Sequence, residues 1–303
     1  MIPANSHIVL QAYGNKDILH ECAFALLSLC RHHTLEELAA LNICIYTDQP
    51  EYFESLNHGL NIQYKTMNAE RQKQWRGSID FVHRLKIEIL RDYLKEHQGQ
   101  ILYLDTDIVF ANGIADILNN IAASTLYMHI MEGAVHGSNN IIFQKLSRFL
   151  KTHPFNSFTK EIIIPEKVAM WNAGVLGFST EHTHLLDEVL TFTDFVYPQF
   201  PKHIVEQFAF SLYFQNTSQI HTAHTHIYHY WNLKELRPVL ASFFEFFRGR
   251  GWHELVYCSQ LIQLPDYLQQ KANFYFNRST LDKLLKKKWL PHAPQWPLLV
   301  QQL

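Results

Sequence analysis

Apolar residues fall at two different spacings in turn along the chain, and the alternation predicts its elements. His7-Ile-Val-Leu-Gln-Ala12 is a short apolar run that reads as a strand; Tyr13-Gly-Asn15 turns the chain, and Ile18, Cys22, Ala25, Leu26 and Leu29 then recur at helical spacing to about Arg31. Asn42-Ile-Cys-Ile-Tyr-Thr-Asp48 reads as a second strand. A strand, helix and strand of this length imply parallel pairing through a right-handed crossover. Phe81, Leu85, Ile89 and Tyr93 recur every four residues and predict an amphipathic helix over 79–94. It leads into Ile101-Leu-Tyr-Leu-Asp-Thr-Asp-Ile-Val-Phe110, apolar enough for one continuous central strand.

Further on the pattern loosens. Residues 132–170 read as irregular or partly helical cover broken by Pro154 and Pro165, and 168–178 as a strand holding Gly174 and Gly177. After Pro198-Gln-Phe-Pro201, Ile204, Phe208 and Leu212 mark a helix, and His221 to Tyr230 alternates as a strand. From about Lys234, phenylalanines and leucines take helical spacing. The expected class is therefore α/β: a mixed, mainly parallel central sheet flanked by helices over residues 1–235, with a small helical appendage over 236–303.

Composition changes this picture little. The chain is 47% hydrophobic and 18% charged, as in ordinary globular proteins. A net charge of −2 argues against a nucleic-acid surface, which needs a strong basic excess. Met1-Ile-Pro-Ala-Asn-Ser-His7 has no basic and apolar leader pattern, and no apolar run reaches about 18 residues, so a cytoplasmic protein is expected. Cys22, Cys30, Cys44 and Cys258 form no C-x-x-C pair and read as small hydrophobes in a reducing compartment.

The candidate chemistry lies at strand ends. Asp105 and Asp107, one residue apart, project to the same side of an extended chain. Two hard oxygen ligands suit Mg²⁺ or Mn²⁺, ions that keep positions open for phosphates, although a bare D-x-D also occurs as a solvated strand end. Tyr13, Thr47 and Asp48 fall at other strand ends, where open α/β sheets bind ligands. Histidines cluster at 221, 224, 226 and 229, a composition open to zinc. On one alternating strand, however, His224 and His226 would face away from His221 and His229, so the four cannot all converge.

The order of Arg84-Leu-Lys86, Tyr103-Leu-Asp-Thr-Asp107, Trp171-Asn-Ala-Gly-Val175, Glu206-Gln207 and His229-Tyr-Trp-Asn-Leu-Lys234 resembles glycosyltransferases of the GT-A fold, above all family 8. That resemblance implies a metal-dependent transfer of a sugar from a nucleotide donor, UDP-linked, to an acceptor hydroxyl with retention of configuration. By the same resemblance Asp105, Asp107 and His229 are the ligands of Mn²⁺ or Mg²⁺; Ala12, Tyr13, Asp48, Arg84, Lys86, Thr106, Gly174 and Lys234 bind the donor; and Asn172, Glu206 and Gln207 stand at the reacting sugar. The acceptor it implies is a glycan, a lipid-linked or a small-molecule hydroxyl. Two departures are visible: the family's His-x-x-Gly-x-x-Lys is one residue shorter and lacks the glycine, and Glu206 stands where the family has Asp. Two other classes remain open at this level, a haloacid-dehalogenase-like phosphatase using Asp105-Thr-Asp107 and an inactive sugar-nucleotide-binding module. The tail over 281–297 mixes Lys283, Lys286, Lys287 and Lys288 with Leu284, Leu285, Trp289 and Trp296, which suits peripheral contact with an anionic membrane.

Overall fold

The computed structural model describes residues 1–153 and 168–301, so Pro154 and Pro165 lie outside the described residues. Its strands are Ser6–Gln11 (β1), Leu41–Thr47 (β2), Ile62–Thr66 (β3), Gln100–Leu104 (β4), Ile108–Phe110 (β5), Leu126–Met128 (β6), Met131–Ala134 (β7), Ala169–Trp171 (β8), Val175–Ser179 (β9), Ile220–Thr222 (β10) and Ile227–His229 (β11). Seven of them form one sheet in the order β10-β6-β9-β4-β1-β2-β3. β1 pairs in parallel with β2 and β4, as do β2 with β3 and β6 with β10; β9 runs antiparallel between β4 and β6. The sheet is thus mixed and mainly parallel.

The helices are Lys16–Arg31 (α1), Leu35–Ala39 (α2), Pro50–Glu54 (α3), Ala69–Arg76 (α4), Arg84–Tyr93 (α5), Ala115–Ala122 (α6), Ile141–Thr152 (α7), His184–Val196 (α8), Ile204–Thr217 (α9), Arg237–Phe246 (α10), Trp252–Cys258 (α11), Leu264–Phe276 (α12), Thr280–Leu284 (α13) and Trp296–Val300 (α14). They cover both faces of the sheet, which is why its inner strands read as near-continuous apolar runs. On one face Ile8, Leu10, Ile43, Leu102 and Leu104 share a core with α1 and with Leu240, Phe243 and Trp252 of α10 and α11. On the other, Val9, Tyr46, Ile101 and Tyr103 pack with residues of α5, α8 and α9. Along β1, β2, β4, β6 and β9 of this sheet, alternate residues separate cleanly between the two cores, as a period of two requires.

Local chemistry explains where the elements begin. Asn15 caps α1, its Oδ1 accepting from the Asp17 N–H at 2.9 Å. A carboxylate of the same helix, Glu21, is fully buried and is held by Arg237 of α10 at 2.9 and 3.2 Å. Trp289 and Trp296 are 6% and 4% exposed and belong to the first core, leaving Leu284, Leu285 and Leu290 of the same tail outside, each at least 69% exposed. Among the described residues no helix is long and apolar enough to cross a membrane.

Three expected strands are each divided. The run 101–110 leaves the main sheet after Leu104 and resumes as β5, which pairs antiparallel with β11 in a separate ribbon. Val168–Phe178 splits into β8, paired with β7, and β9 in the main sheet. His221 to Tyr230 splits into β10 and β11 with a turn over 223–226, so the single alternation expected for its histidines does not hold. Apolar runs report burial but not partner, and in each case the chain changes partner strand without losing its cover. The helix expected from residue 79 starts at Arg84; Asp80, at φ 46°, interrupts it.

Candidate active site

The acids lie where the chain passes from β4 to β5. The Asp105 N–H donates to the Gly174 carbonyl at 2.9 Å, and the Asp107 carbonyl accepts from the Tyr230 N–H at 2.9 Å. This fastens the bend to the loop before β9 and to the end of β11. The register of the small ribbon sets His229 opposite Ile108, beside Asp107. Ligand atoms of Asp105, Asp107 and His229 consequently lie within 4.8 Å of one another. His229 Nε2 is 3.1 Å from Asp107 Oδ1 and 3.9 Å from Asp105 Oδ2.

The other ring nitrogen decides what this contact can do. His229 Nδ1 is 2.8 Å from Asn172 Oδ1, which also accepts the Gly174 N–H at 3.0 Å, while Asn172 Nδ2 donates to Glu132 Oε1 at 3.0 Å. With the amide so oriented, Nδ1 must carry the proton. Nε2 then either donates to Asp107 from a protonated ring or offers its lone pair to a cation shared with the acids. A second imidazole, His129, accepts the His229 N–H at 3.1 Å, and burial pulls it down to about 3, with His229 and His224 adding to the effect. Gly174 is required by close approach: a Cβ there would stand 2.1 Å from His229 Nδ1.

Charge around the acids is balanced by two lysines. Burial raises Asp107, but His229 and Lys234 outweigh it and hold the carboxyl well below its ordinary range. Lys234 is ion-paired to Asp107 and half-exposed. Lys86, buried on α5, donates to the Ala173 carbonyl at 2.8 Å and stands 3.4 Å from Asp105 Oδ1 and 3.2 Å from Glu206 Oε1. That last contact is close enough for charge but lies off the hydrogen-bond direction, leaving Oε1 without a hydrogen bond. Burial works against the Lys86 charge, yet Asp105 and Glu206 together raise its pKa. Glu206, 2% exposed, is pushed up to about 7 by burial, with Lys86 opposing. Two carboxylates and an imidazole lone pair fit a divalent cation that accepts oxygen and nitrogen ligands.

The remaining expected residues divide by position. Ala12 is buried, its N–H donating to the Tyr46 carbonyl at 2.8 Å, and Asp48 receives the Gly14 N–H at 3.1 Å. Tyr13 is pushed up to about 12, mainly by burial, and feels the charges of Asp105 and Asp48. Thr106 is buried between the two acids. Gln207 donates to Glu132 Oε2 at 2.9 Å. Arg84, two residues from Lys86, is occupied elsewhere: Asp194 takes Nε at 2.7 Å, Glu88 lies 2.8 Å from Nη1, and the Trp75 carbonyl accepts at 2.6 Å. Among the described residues no other group of three or more metal-binding side chains converges, which removes the zinc reading of the histidine cluster.

Glu132 and His129 had no signal in the sequence. Glu132, in the short strand β7, holds the amides of both Asn172 and Gln207, and nothing in its neighbourhood, Ile130-Met-Glu-Gly133, marks it as special.

No protein-family model matches the chain, and no curated protein matches it. Solved structures do. Mouse xyloside xylosyltransferase 1, in its apo form, is similar over 73% of this chain and 85% of its own, at 14% identity and a TM-score of 0.50. The galactosyltransferase LgtC, in complex with donor and acceptor sugar analogs, matches over 68% of this chain and 70% of its own at 14% identity, with a TM-score of 0.44. The first likeness establishes the fold, an α/β architecture of the GT-A type.

Proposed function

We propose that the chain is a metal-dependent hexosyltransferase that moves a sugar from a UDP-linked donor to an acceptor hydroxyl with retention at the anomeric carbon. The observation that supports it best is the convergence of Asp105, Asp107 and the Nδ1-protonated His229 within 4.8 Å at the carboxyl end of a GT-A sheet. Mn²⁺ or Mg²⁺ held by these three groups would stabilise the charge that grows on the diphosphate as the anomeric C–O bond breaks. The chain's own residues do the rest. Asn172 keeps the His229 lone pair pointed at the acids, and Glu132 holds Asn172 and Gln207 in one hydrogen-bonded unit at the sugar side. Lys234 is free to turn from Asp107 to a donor phosphate once a cation replaces it there. Ala12, Tyr13, Asp48, Thr106 and Gly174 line the nucleotide side. Glu206, engaged with Lys86, acts in this reading through that lysine and not as a nucleophile. Arg84 reaches the donor only if it gives up Asp194, so its contribution is to brace α5 against α8.

A phosphatase built on Asp105 gains nothing from this geometry, because the third group beside the acids is a histidine and not a further acidic pair. The test is a panel of nucleotide sugars scored for hydrolysis and thermal stabilisation with Mn²⁺, with EDTA, and with Asp107→Asn. A UDP-sugar should raise the melting temperature only with metal, by mass action on the folded state, and the variant should lose both effects. Undiminished turnover in EDTA would overturn the metal reading; metal-dependent binding without turnover on any acceptor would leave a binding module.

A further inference from the structure

A cavity of about 720 Å³ opens between the end of α1, β5 and the start of α12, and none of its lining residues belongs to the candidate active site. Its polar wall is Arg31, His32, His253, Tyr257, Gln260 and Gln263, and among the described residues no carboxylate lines it. Arg31 is the unusual member. Its Nε is buried without a hydrogen-bond partner, and burial alone acts on its charge, drawing its pKa below arginine's ordinary value. Arg84, Arg237 and Arg250 each hold a carboxylate by contrast. A cation in the last turn of α1 is favoured by the helix dipole, but that benefit is available to an exposed side chain and does not explain why this half-buried one encloses its Nε without a hydrogen-bond partner. α12 begins at the cavity wall, where Pro265 has no N–H and the Asp266 N–H donates to the Gln263 carbonyl at 3.1 Å, so the cationic group of this wall is Arg31. The rest of the wall, including Phe110, Ile262 and Leu264, is apolar.

We propose that this cavity binds a small organic oxyanion, a phosphate or carboxylate carried on an apolar body, with Arg31 as its anchor. A planar guanidinium accepts either group in a two-pronged hydrogen bond, and the volume is that of a small-molecule site. The ligand supplies the counter-charge that the fold withholds.

Calorimetric titration with phenyl phosphate, benzoate and phenol in EDTA tests this and separates the two oxyanions by affinity. Wild type should bind at least one of the anions and bind phenol much more weakly. Arg31→Met should weaken the anion about ten- to a hundredfold, the range for a lost charge-assisted hydrogen bond. The free variant should melt no lower than wild type, since it loses an unpaired charge. Gln260→Glu, which adds a competing carboxylate to the wall, should also weaken binding, whereas Lys234→Gln at the acid cluster should not. No binding of either anion by wild type at millimolar concentration, or equal binding by wild type and Arg31→Met, would overturn the proposal. So would loss of binding in Lys234→Gln with retention in Arg31→Met.

Discussion

His229 is the most constrained side chain near the acids, with Asn172 on one nitrogen, Asp107 on the other, His129 on its backbone and Gly174 against its ring. In the proposed enzyme His229→Ala should raise the Mn²⁺ concentration for half-maximal activity about ten- to a hundredfold, the usual effect of disturbing a metal shell. Gly174→Ala should do the same with every ligand still present, because its methyl group displaces the imidazole. A metal titration of Gly174→Ala identical to wild type would show that the ring can shift without cost. At this scale the sequence was readable where the signal was spacing: two acids one residue apart, and a histidine far along the chain in a familiar order. Glu132 and His129 were unreadable because their roles arise only when β7 and β8 pair and when β6 brings one imidazole under another.

Elements were legible in type more than in extent. The periodicity behind α1 and α5 reports a buried stripe, and both helices form, although α5 begins at Arg84 after the turn at Asp80. Strands were harder, since a run such as Ile101 to Phe110 stays apolar while it moves from one sheet to another, and only the hydrogen-bond partners reveal the break. The contact of α1 with α10 could not be read from either helix. Glu21 is raised by burial and restrained by Arg237, so Arg237→Leu leaves a buried carboxylate alone and should cost about 3 kcal/mol in urea unfolding. Replacing both residues by leucine should recover most of that loss. The same pair bears on the proposed division at residue 235: with α10 and α11 inside the α1 core, 1–235 and 236–303 should unfold in one transition. Two resolved transitions by fluorescence and circular dichroism would contradict it.

For the molecule as a whole, acid should be the sensitive direction. His7, His20, His58 and His182 are all held below histidine's ordinary value of 6.5, mainly by burial. The unfolded chain therefore binds more protons than the native one below about pH 6.5, and stability falls as pH drops through that value. A urea midpoint unchanged between pH 7 and pH 5.5 would refute this. The tail makes a separate prediction. With both of its tryptophans packed inward, a membrane foothold would rest on Leu284, Leu285, Leu290 and the four lysines, so co-sedimentation with anionic vesicles should be abolished by moderate salt or by replacing those lysines with glutamine. Equal recovery in the supernatant with anionic and neutral vesicles would eliminate the contact. A final consequence follows from the pairing of β5 with β11. Asp107 and His229 stand 122 residues apart in the chain, yet they meet across a ladder only three residues long. An ion shared between them would be a reversible cross-link closing a ring of that length, a kind of tie worth about 4–5 kcal/mol in the chain-entropy model of covalent links. Amide protons of β5 and β11 should then exchange with solvent more slowly when Mn²⁺ is added, so that the ion a donor needs would also act as the clasp that orders its site.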